Sequence, residues 1–301
     1  MNVLEIIAKY PEVFNAKHKE YTEEEAISLI ASCPIKGNEF HKAYFFIIES
    51  YAAFSKLLRL GLRKPAIQLG KNLLERSVWY QQYEIAALVC KQLCQHHYLF
   101  EDKETALQYH EKFKLYRKIE NLESESEMLY NELIYNTLTT GNVNKAHILK
   151  SLEGIKSKIE LDSCIYRYYY YQCNSLITSG EMHKKWCVEA VDYFENLYFQ
   201  HEGFLNIFRK NLIRYYNDHG EYAASEAYLK KCFESVVIYS RSWFILKFYE
   251  IDLYIKKEDY TRADELMRHV VNHPTYQSFA EMEKKEWNAL QALIEQHIPK
   301  S

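Results

Sequence analysis

The chain of 301 residues is 48% hydrophobic and 26% charged, with a net charge of −3, and this composition excludes an intrinsically disordered protein. It contains only 8 Gly and 5 Pro, too few for an all-β fold with a turn about every ten residues or for a Gly-rich phosphate-binding fold. No stretch approaches the roughly eighteen apolar residues of a membrane span, and the first residues lack the basic start of a signal peptide. The near-neutral charge argues against a nucleic-acid partner.

Short turn-like strings, such as Gly141–Ala146 and Gly220–Ser225, recur along the chain at intervals of 38 to 40 residues. The last position of each string is small in six of seven cases: Ala26, Ala66, Ala106, Ala146, Trp186, Ser225 and Ala263. Apolar residues stand seven positions before the start of each turn: Phe54, Cys94, Ile134, Cys173, Ile213 and Ile251. A turn that separates an apolar-periodic segment from a small residue is typical of a helical hairpin whose two helices cross closely.

In chain order, the pattern predicts antiparallel hairpins at about 1–35, 39–77, 79–118, 121–157, 161–198, 201–237 and 241–272, and a capping helix at about 276–297. Gly is expected to take the left-handed conformation at the turns, and Asn142 and Asp259 are expected to cap the helices that follow. The predicted fold is therefore all-α, a single right-handed superhelical solenoid of about seven hairpins over residues 1–301.

The strings Gly-Asn-Val-x-x-Ala, Gly-Glu-Tyr and Glu-Asp-Tyr-x-x-Ala resemble the centre of the tetratricopeptide repeat. This resemblance implies stacked hairpins whose first helices line a concave groove that binds a protein or peptide. The period here is about 40 residues instead of 34, and bulky Phe54, Ile134 and Ile213 stand where the family has small residues. Longer first helices and wider spacing are therefore expected.

The groove positions implied by this register carry polar and aromatic side chains. The candidate binding residues are Lys91, Gln95, Asn131, Tyr135, Arg167, Tyr170, Asn174, Lys210 and Arg214, and the same register also selects Tyr51, Ser55, Phe248 and Asp252. Because these positions include four cations and only one anion, Asp252, the groove is predicted to be locally positive. Asn side chains can pair with a peptide backbone, and Arg167 and Arg214 can hold a carboxylate. The alternative is an ordinary solvated inner face.

No catalytic, cofactor-binding or metal-binding motif is found, so an enzyme is not expected. The adjacent His96 and His97 point about 100° apart on a helix and cannot easily share a metal. Cys90 and Cys94 are interpreted as buried thiols, and the seven scattered Cys favour a reducing cytoplasm. The Tyr run at 166 and 168–171 circles its helix, so most of its members are expected to pack between repeats.

The expected function is a non-catalytic cytoplasmic scaffold, without a membrane or nucleic-acid partner. It would bind a protein or peptide with an acidic or carboxyl-terminal segment in a Tyr-rich, locally basic groove. Besides an enzyme without a recognisable motif, two alternatives stay open. One is a peptide-sensing regulatory protein without a DNA-binding domain. The other is a structural module that self-associates as a homodimer through surfaces around Trp186 or Trp243.

Overall fold

The computed structural model describes residues 39–100, 102–139, 141 and 143–298. Over these residues the chain forms thirteen α-helices and no strand, so the all-α prediction is confirmed. The hairpin predicted at about 1–35 lies outside the described residues. The helices are α1 (Glu39–Arg59), α2 (Arg63–Trp79), α3 (Tyr83–Leu99), α4 (Lys103–Thr139), α5 (Lys145–Lys156), α6 (Cys164–Ile177), α7 (Gly180–Glu195), α8 (Glu202–Asp218), α9 (Tyr222–Ser235), α10 (Arg241–Lys256), α11 (Tyr260–Val271), α12 (Pro274–Gln277) and α13 (Glu281–His297).

The described helices belong to two compact units. The first unit contains α1–α7 and ends at residue 204, and the second begins at residue 205, within α8. The first has a core of Phe54, Leu73, Leu93 and their neighbours. The second has a core of Trp243, Phe244 and their neighbours.

The turns and caps follow the sequence pattern closely. Four turn glycines have φ between +57° and +73°, the left-handed range in which other residues are strained: Gly61, Gly141, Gly180 and Gly220. Asp259 caps α11 by accepting a hydrogen bond of 3.1 Å from the N–H of Arg262, as predicted. The predicted cap Asn142 lies outside the described residues, and Asn144 caps α5 instead by accepting a hydrogen bond from the N–H of His147.

Helix α4 is one uninterrupted helix of 37 residues. The prediction that one hairpin ends near residue 118 and the next begins near residue 121 is therefore wrong. No Gly or Pro occurs between residues 103 and 139, so nothing in the local sequence ends the helix.

The continuous helix changes which helices are neighbours. The first half of α4 packs on α3, where the rings of Tyr116 and Tyr83 lie 5.9 Å apart. The second half packs on α6, where the ring of Tyr130 lies 5.5 Å from that of Tyr169. Because α4 does not reverse at residue 120, its second half cannot lie beside α3 as the next hairpin of a regular array would.

Four of the small residues that end the recurring turn strings are buried. Ala66, Ala106, Ser225 and Ala263 have no exposed surface. Ala146 is exposed, and Ile148 is the buried residue of that turn, so the expectation of a close helix crossing at Ala146 is wrong.

Gly70 packs tightly against two neighbouring helices, which gives a prediction about stability. A Cβ atom added to Gly70 would lie 2.6 Å from Phe54 Cε2 and 3.2 Å from Leu93 Cδ2. Both of these side chains are fully buried. Gly70→Ala is therefore expected to lower the free energy of unfolding by about 1–3 kcal/mol through overpacking, as measured by urea denaturation.

Gly154 provides the matched control, because it is also helical and a Cβ added there meets nothing within 4 Å. Gly154→Ala is expected to be neutral or to stabilise by up to about 1 kcal/mol, through higher helix propensity. If both substitutions changed stability equally, the close approach at Gly70 would be refuted.

Segments of the first unit meet in a polar junction formed by Gln81, Tyr83, Glu123, Asp162, Ser163 and Cys164, all of which are buried except Asp162. Ser163 donates a hydrogen bond of 2.5 Å to Glu123 Oε1 and caps α6 by accepting one from the N–H of Tyr166. The Cys164 N–H donates to Gln81 Oε1 at 2.6 Å. The Tyr83 hydroxyl donates to the Asp162 carbonyl at 2.7 Å. The start of α6 is thereby tied to the start of α3 and the middle of α4.

The segment after α7 returns to the beginning of the first unit. Phe199 is buried, and its ring lies 5.5 Å from that of Phe40 and 5.6 Å from that of Tyr80. The His201 ring lies 4.1 Å from Phe40. In an open solenoid each hairpin contacts only its neighbours, so the repeat pattern does not predict these long-range contacts.

The Tyr run on α6 serves mainly in packing, as expected. Tyr166, Tyr170 and Tyr171 are buried. The Tyr166 hydroxyl donates to the Leu152 carbonyl at 3.1 Å, and the ring of Tyr168 stacks 4.1 Å from that of Phe204. These side chains fix α6 between its neighbours.

Candidate functional site

A pocket of about 500 Å³ lies within the second unit. Its size falls in the range of pockets that hold small ligands. Residues of α8, α10 and α13 form most of its lining: Arg214, Asp218, Arg241, Phe244, Ile245, Phe248, Tyr249, Asp252, Lys256, Phe279, Glu286 and Trp287. The lining thus combines several aromatic rings with charges of both signs.

Aromatic side chains hold one another in place along the pocket wall. Phe248 meets Trp287 edge to face at 5.3 Å, and Phe244 meets Phe279 edge to face at 5.1 Å. Phe244 and Trp287 are buried in the core, whereas Ile245 is exposed. Such a wall accommodates an apolar side chain or ring without rearrangement.

A hydrogen-bond network centred on Asn217 connects α8, α9 and α10 beside the pocket. Asn217 is 1% exposed. Its Nδ2 donates to the Tyr249 carbonyl at 3.1 Å and to Asp252 Oδ2 at 2.9 Å, and its Oδ1 accepts from Ser225 Oγ at 2.6 Å. Both donor sites and the carbonyl of this amide are therefore satisfied, as a buried polar group requires.

Lys256 bridges the two aspartates of the pocket. Its Nζ pairs with Asp218 and lies 3.0 Å from Asp252 Oδ2. Asp252 thus receives hydrogen bonds from both Lys256 and Asn217. These three side chains carry one positive and two negative charges, and their contacts fix one side of the pocket.

Arg214 is exposed at the pocket, and its guanidinium forms no ion pair or hydrogen bond with any other residue in the described part of the chain. It lies near the Tyr249 hydroxyl. Burial raises the pKa of that hydroxyl, Arg214 opposes the rise, and Glu286, Asp252 and Asp218 add to it. The pocket therefore carries a cation at Arg214 and a carboxylate at Glu286, with aromatic surface in the same cavity.

The predicted groove residues of the second unit come together only in part. Arg214, Phe248 and Asp252 line the same pocket. Lys210, one turn before Arg214, is half-buried and outside the lining, and burial lowers the pKa of its ammonium group. Arg214 is the residue of this pair that a ligand in the pocket would meet.

In the first unit, Lys91, Gln95, Asn131 and Tyr135 are exposed, but the two helices that carry them do not form one inner face. Lys112 of α4 lies close enough to Cys90, the residue before Lys91, to affect the pKa of the Cys90 thiol. Asn131 comes 19 residues later on the same continuous helix, which is about 28 Å along its axis.

Tyr170, Asn174 and Arg167 do not lie on an open groove. Tyr170 and Asn174 are each 6% exposed. The Tyr170 hydroxyl donates to Glu153, and Asn174 Nδ2 donates to the Tyr170 carbonyl at 2.8 Å. The Arg167 Nε lies 3.3 Å from Asp162 Oδ1. The expectation that Asn174 captures a peptide backbone is therefore corrected, because its amide is used inside the helix packing.

The thiols and histidines that the sequence singled out are involved in packing. Cys90 and Cys94 are buried as predicted, and burial raises the pKa of Cys90 to about 12. The His96 and His97 rings stand 5.5 Å apart at 88°. His97 Nδ1 lies 2.9 Å from Asp102.

The chain matches no protein-family model, no curated protein and no solved structure. Over the described residues, none of the helices is long and apolar enough to cross a membrane. Inference about function therefore starts from the chain's own pocket and surfaces.

Proposed function

We propose that this chain is a non-catalytic helical-repeat scaffold that binds a peptide or a segment of another protein. The pocket of the second unit takes an apolar side chain of that segment, and Arg214 pairs with a nearby carboxylate. The observation that carries this proposal is the exposed, unpaired Arg214 guanidinium beside the wall formed by Phe244, Phe248 and Trp287.

The unpaired guanidinium of Arg214 supports a ligand that carries a carboxylate. Asp218 and Asp252 both pair with Lys256, whereas Arg214 forms no ion pair with any described residue. A guanidinium can pair with a carboxylate through two parallel hydrogen bonds. Glu286, on the pocket lining, is an acceptor for an N–H group of the same ligand.

The proposal includes a tetratricopeptide-like, right-handed stack of hairpins acting in the cytoplasm. Support for the stack is that Arg214, Phe248 and Asp252, which the repeat register selects, line one pocket. Support for the compartment is that the six Cys of the described residues are buried thiols that form no disulfide with one another, as in proteins kept reduced.

Selection from a phage-displayed random peptide library tests the proposal. We expect enriched peptides to combine a bulky apolar residue with Asp or Glu. Arg214→Glu is expected to weaken the binding of those peptides about tenfold to a hundredfold, because it replaces a charged hydrogen bond with repulsion. Isothermal titration calorimetry with the selected peptides measures the change.

Lys230→Glu is the charge-matched control, because Lys230 is exposed on α9 and outside the pocket lining. It should leave the affinity unchanged. A selection that enriches no peptide, or equal losses in the two variants, would refute the proposed site.

A further inference from the structure

The α1–α2 and α3–α4 turns of the first unit form a basic tip that is separate from the pocket. Residues 50–74 contain five Lys or Arg and no Asp or Glu, in a chain whose net charge is −3. Four of these cations are exposed: Lys56, Arg59, Arg63 and Lys64. Their charged groups make no ion pair with any residue that the structure describes.

Large apolar side chains project from the same two turns. Leu60 is 63% exposed and Leu99 is 76% exposed, and Leu62 and Phe100 are each about half exposed. The two turns adjoin, because the Arg63 guanidinium lies 4.0 Å above the Phe100 ring. Single exposed apolar residues are ordinary, but a group of them at one end of a helical layer marks a contact surface.

We propose that this two-turn tip docks on the surface of a lipid bilayer that contains anionic lipids. Lys and Arg near such a surface are attracted to the negative headgroups. Leucine and phenylalanine side chains that protrude beside them enter the boundary between headgroups and acyl chains. The sequence-based expectation of no membrane partner rested on the lack of a spanning segment, and surface attachment does not need one.

The cations and the exposed apolar side chains of the tip together favour a lipid surface over a second copy of the chain or a nucleic acid. A second copy of the chain, docked tip to tip, would place like charges against one another. A nucleic acid would use the cations but leave the leucines in water. At the second turn, Asp102 pairs with His97 and accepts from the Thr105 N–H. The other charged residues of this turn are Glu101, Lys103 and Glu104, so the cations of the two turns outnumber their carboxylates.

Flotation of the full chain with two kinds of vesicle tests the proposal. One kind contains equal parts of phosphatidylglycerol and phosphatidylcholine, and the other contains phosphatidylcholine alone. We expect the chain to float with the anionic vesicles only, and added salt to weaken the association. The double variant Leu60→Ser/Leu99→Ser should reduce the floated fraction at least about tenfold.

Leu138→Ser is the matched control, because Leu138 is 80% exposed at the far end of α4, and it should float like the original chain. Arg59→Gln/Lys64→Gln removes charge without touching the leucines and should also lose binding, while circular dichroism verifies the fold of each variant. The proposal fails if the chain does not float with anionic vesicles or if Leu138→Ser loses as much as the tip variant. Binding to polyglutamate without binding to vesicles would also overturn it, in favour of an acidic protein.

Discussion

Replacing Glu123 with Gln is expected to raise the free energy of unfolding by about 3 kcal/mol above pH 7, and to change it little below pH 4.5. Glu123 is 6% exposed, and its carboxyl group accepts a hydrogen bond from Ser163 in the junction. Burial raises its pKa from 4.5 to about 7, the Ser163 hydrogen bond opposes the rise, and Glu120 and Glu84 add to it.

The sign of the pH dependence follows from the raised pKa of Glu123. Between about pH 4.5 and 7 the folded chain holds a proton on Glu123 that the unfolded chain has released. The protonated Glu123 therefore makes its full contribution to the free energy of unfolding below about pH 4.5. This contribution is lost as the pH rises through about 7. Gln is uncharged at every pH and can still accept from Ser163, so the variant should lack this loss.

Urea denaturation across this pH range measures the effect of the Glu123 substitution. Glu125→Gln is the matched control, since Glu125 is exposed on the same helix, and it should keep the original pH profile. If Glu123→Gln and the original chain lost stability in parallel between pH 4.5 and 7, the buried carboxyl would not be the source of the dependence.

The helices themselves were largely predictable, because each has an apolar stripe and most end at a turn residue. Gly61 and Gly220 mark their turns through the left-handed conformation that glycine adopts easily. The repeat period predicts a boundary between two hairpins near residue 120, although the local residues Ile119 and Glu120 favour an unbroken helix. Local propensity prevailed over periodicity in α4.

The unbroken helix α4 also explains why the predicted groove residues come together only in part. In the second unit the register holds, and Arg214 and Asp252 meet at one pocket. In the first unit the continuous α4 separates Lys91 from Asn131. The register could not indicate Trp287 or Glu286, because they belong to α13, outside the repeats. Burial of Tyr170 and Asn174 depends on how α5 and α7 cover α6, which helix periodicity does not specify.

Two departures from the repeat pattern are a signal that could have indicated the network beside the pocket. Three positions before the start of each turn stand Leu58, Tyr98, Leu138, Ile177, Asn217 and Ile255, and Ser225 replaces Ala at the small position eight residues after Asn217. In the structure the Ser225 hydroxyl donates to Asn217 Oδ1 at 2.6 Å. The equivalent pair in the hairpin at 39–77 is Leu58 and Ala66. Each of these two buried polar side chains is therefore a hydrogen-bond partner of the other.

Asn217→Leu is expected to destabilise the second unit by about 2–4 kcal/mol. It leaves the buried Ser225 hydroxyl without its acceptor and removes one donor from Asp252, and an unsatisfied buried group retains its full desolvation cost. Ser225→Ala should cost about 1–3 kcal/mol for the same reason, because the Asn217 Oδ1 then lacks a donor. Urea denaturation gives both values.

The double variant Asn217→Leu/Ser225→Ala restores the apolar pair that the hairpin at 39–77 carries. It should cost about 1–2 kcal/mol less than the sum of the two single changes, because neither orphaned polar group remains. Pairing Asn217→Leu with Ser242→Ala, a change at an exposed serine of α10, should be additive. Additivity in both pairs would show that the Asn217–Ser225 hydrogen bond contributes nothing. Coupling in the first pair alone would establish that the hydrogen bond between Asn217 and Ser225 stabilises the second unit.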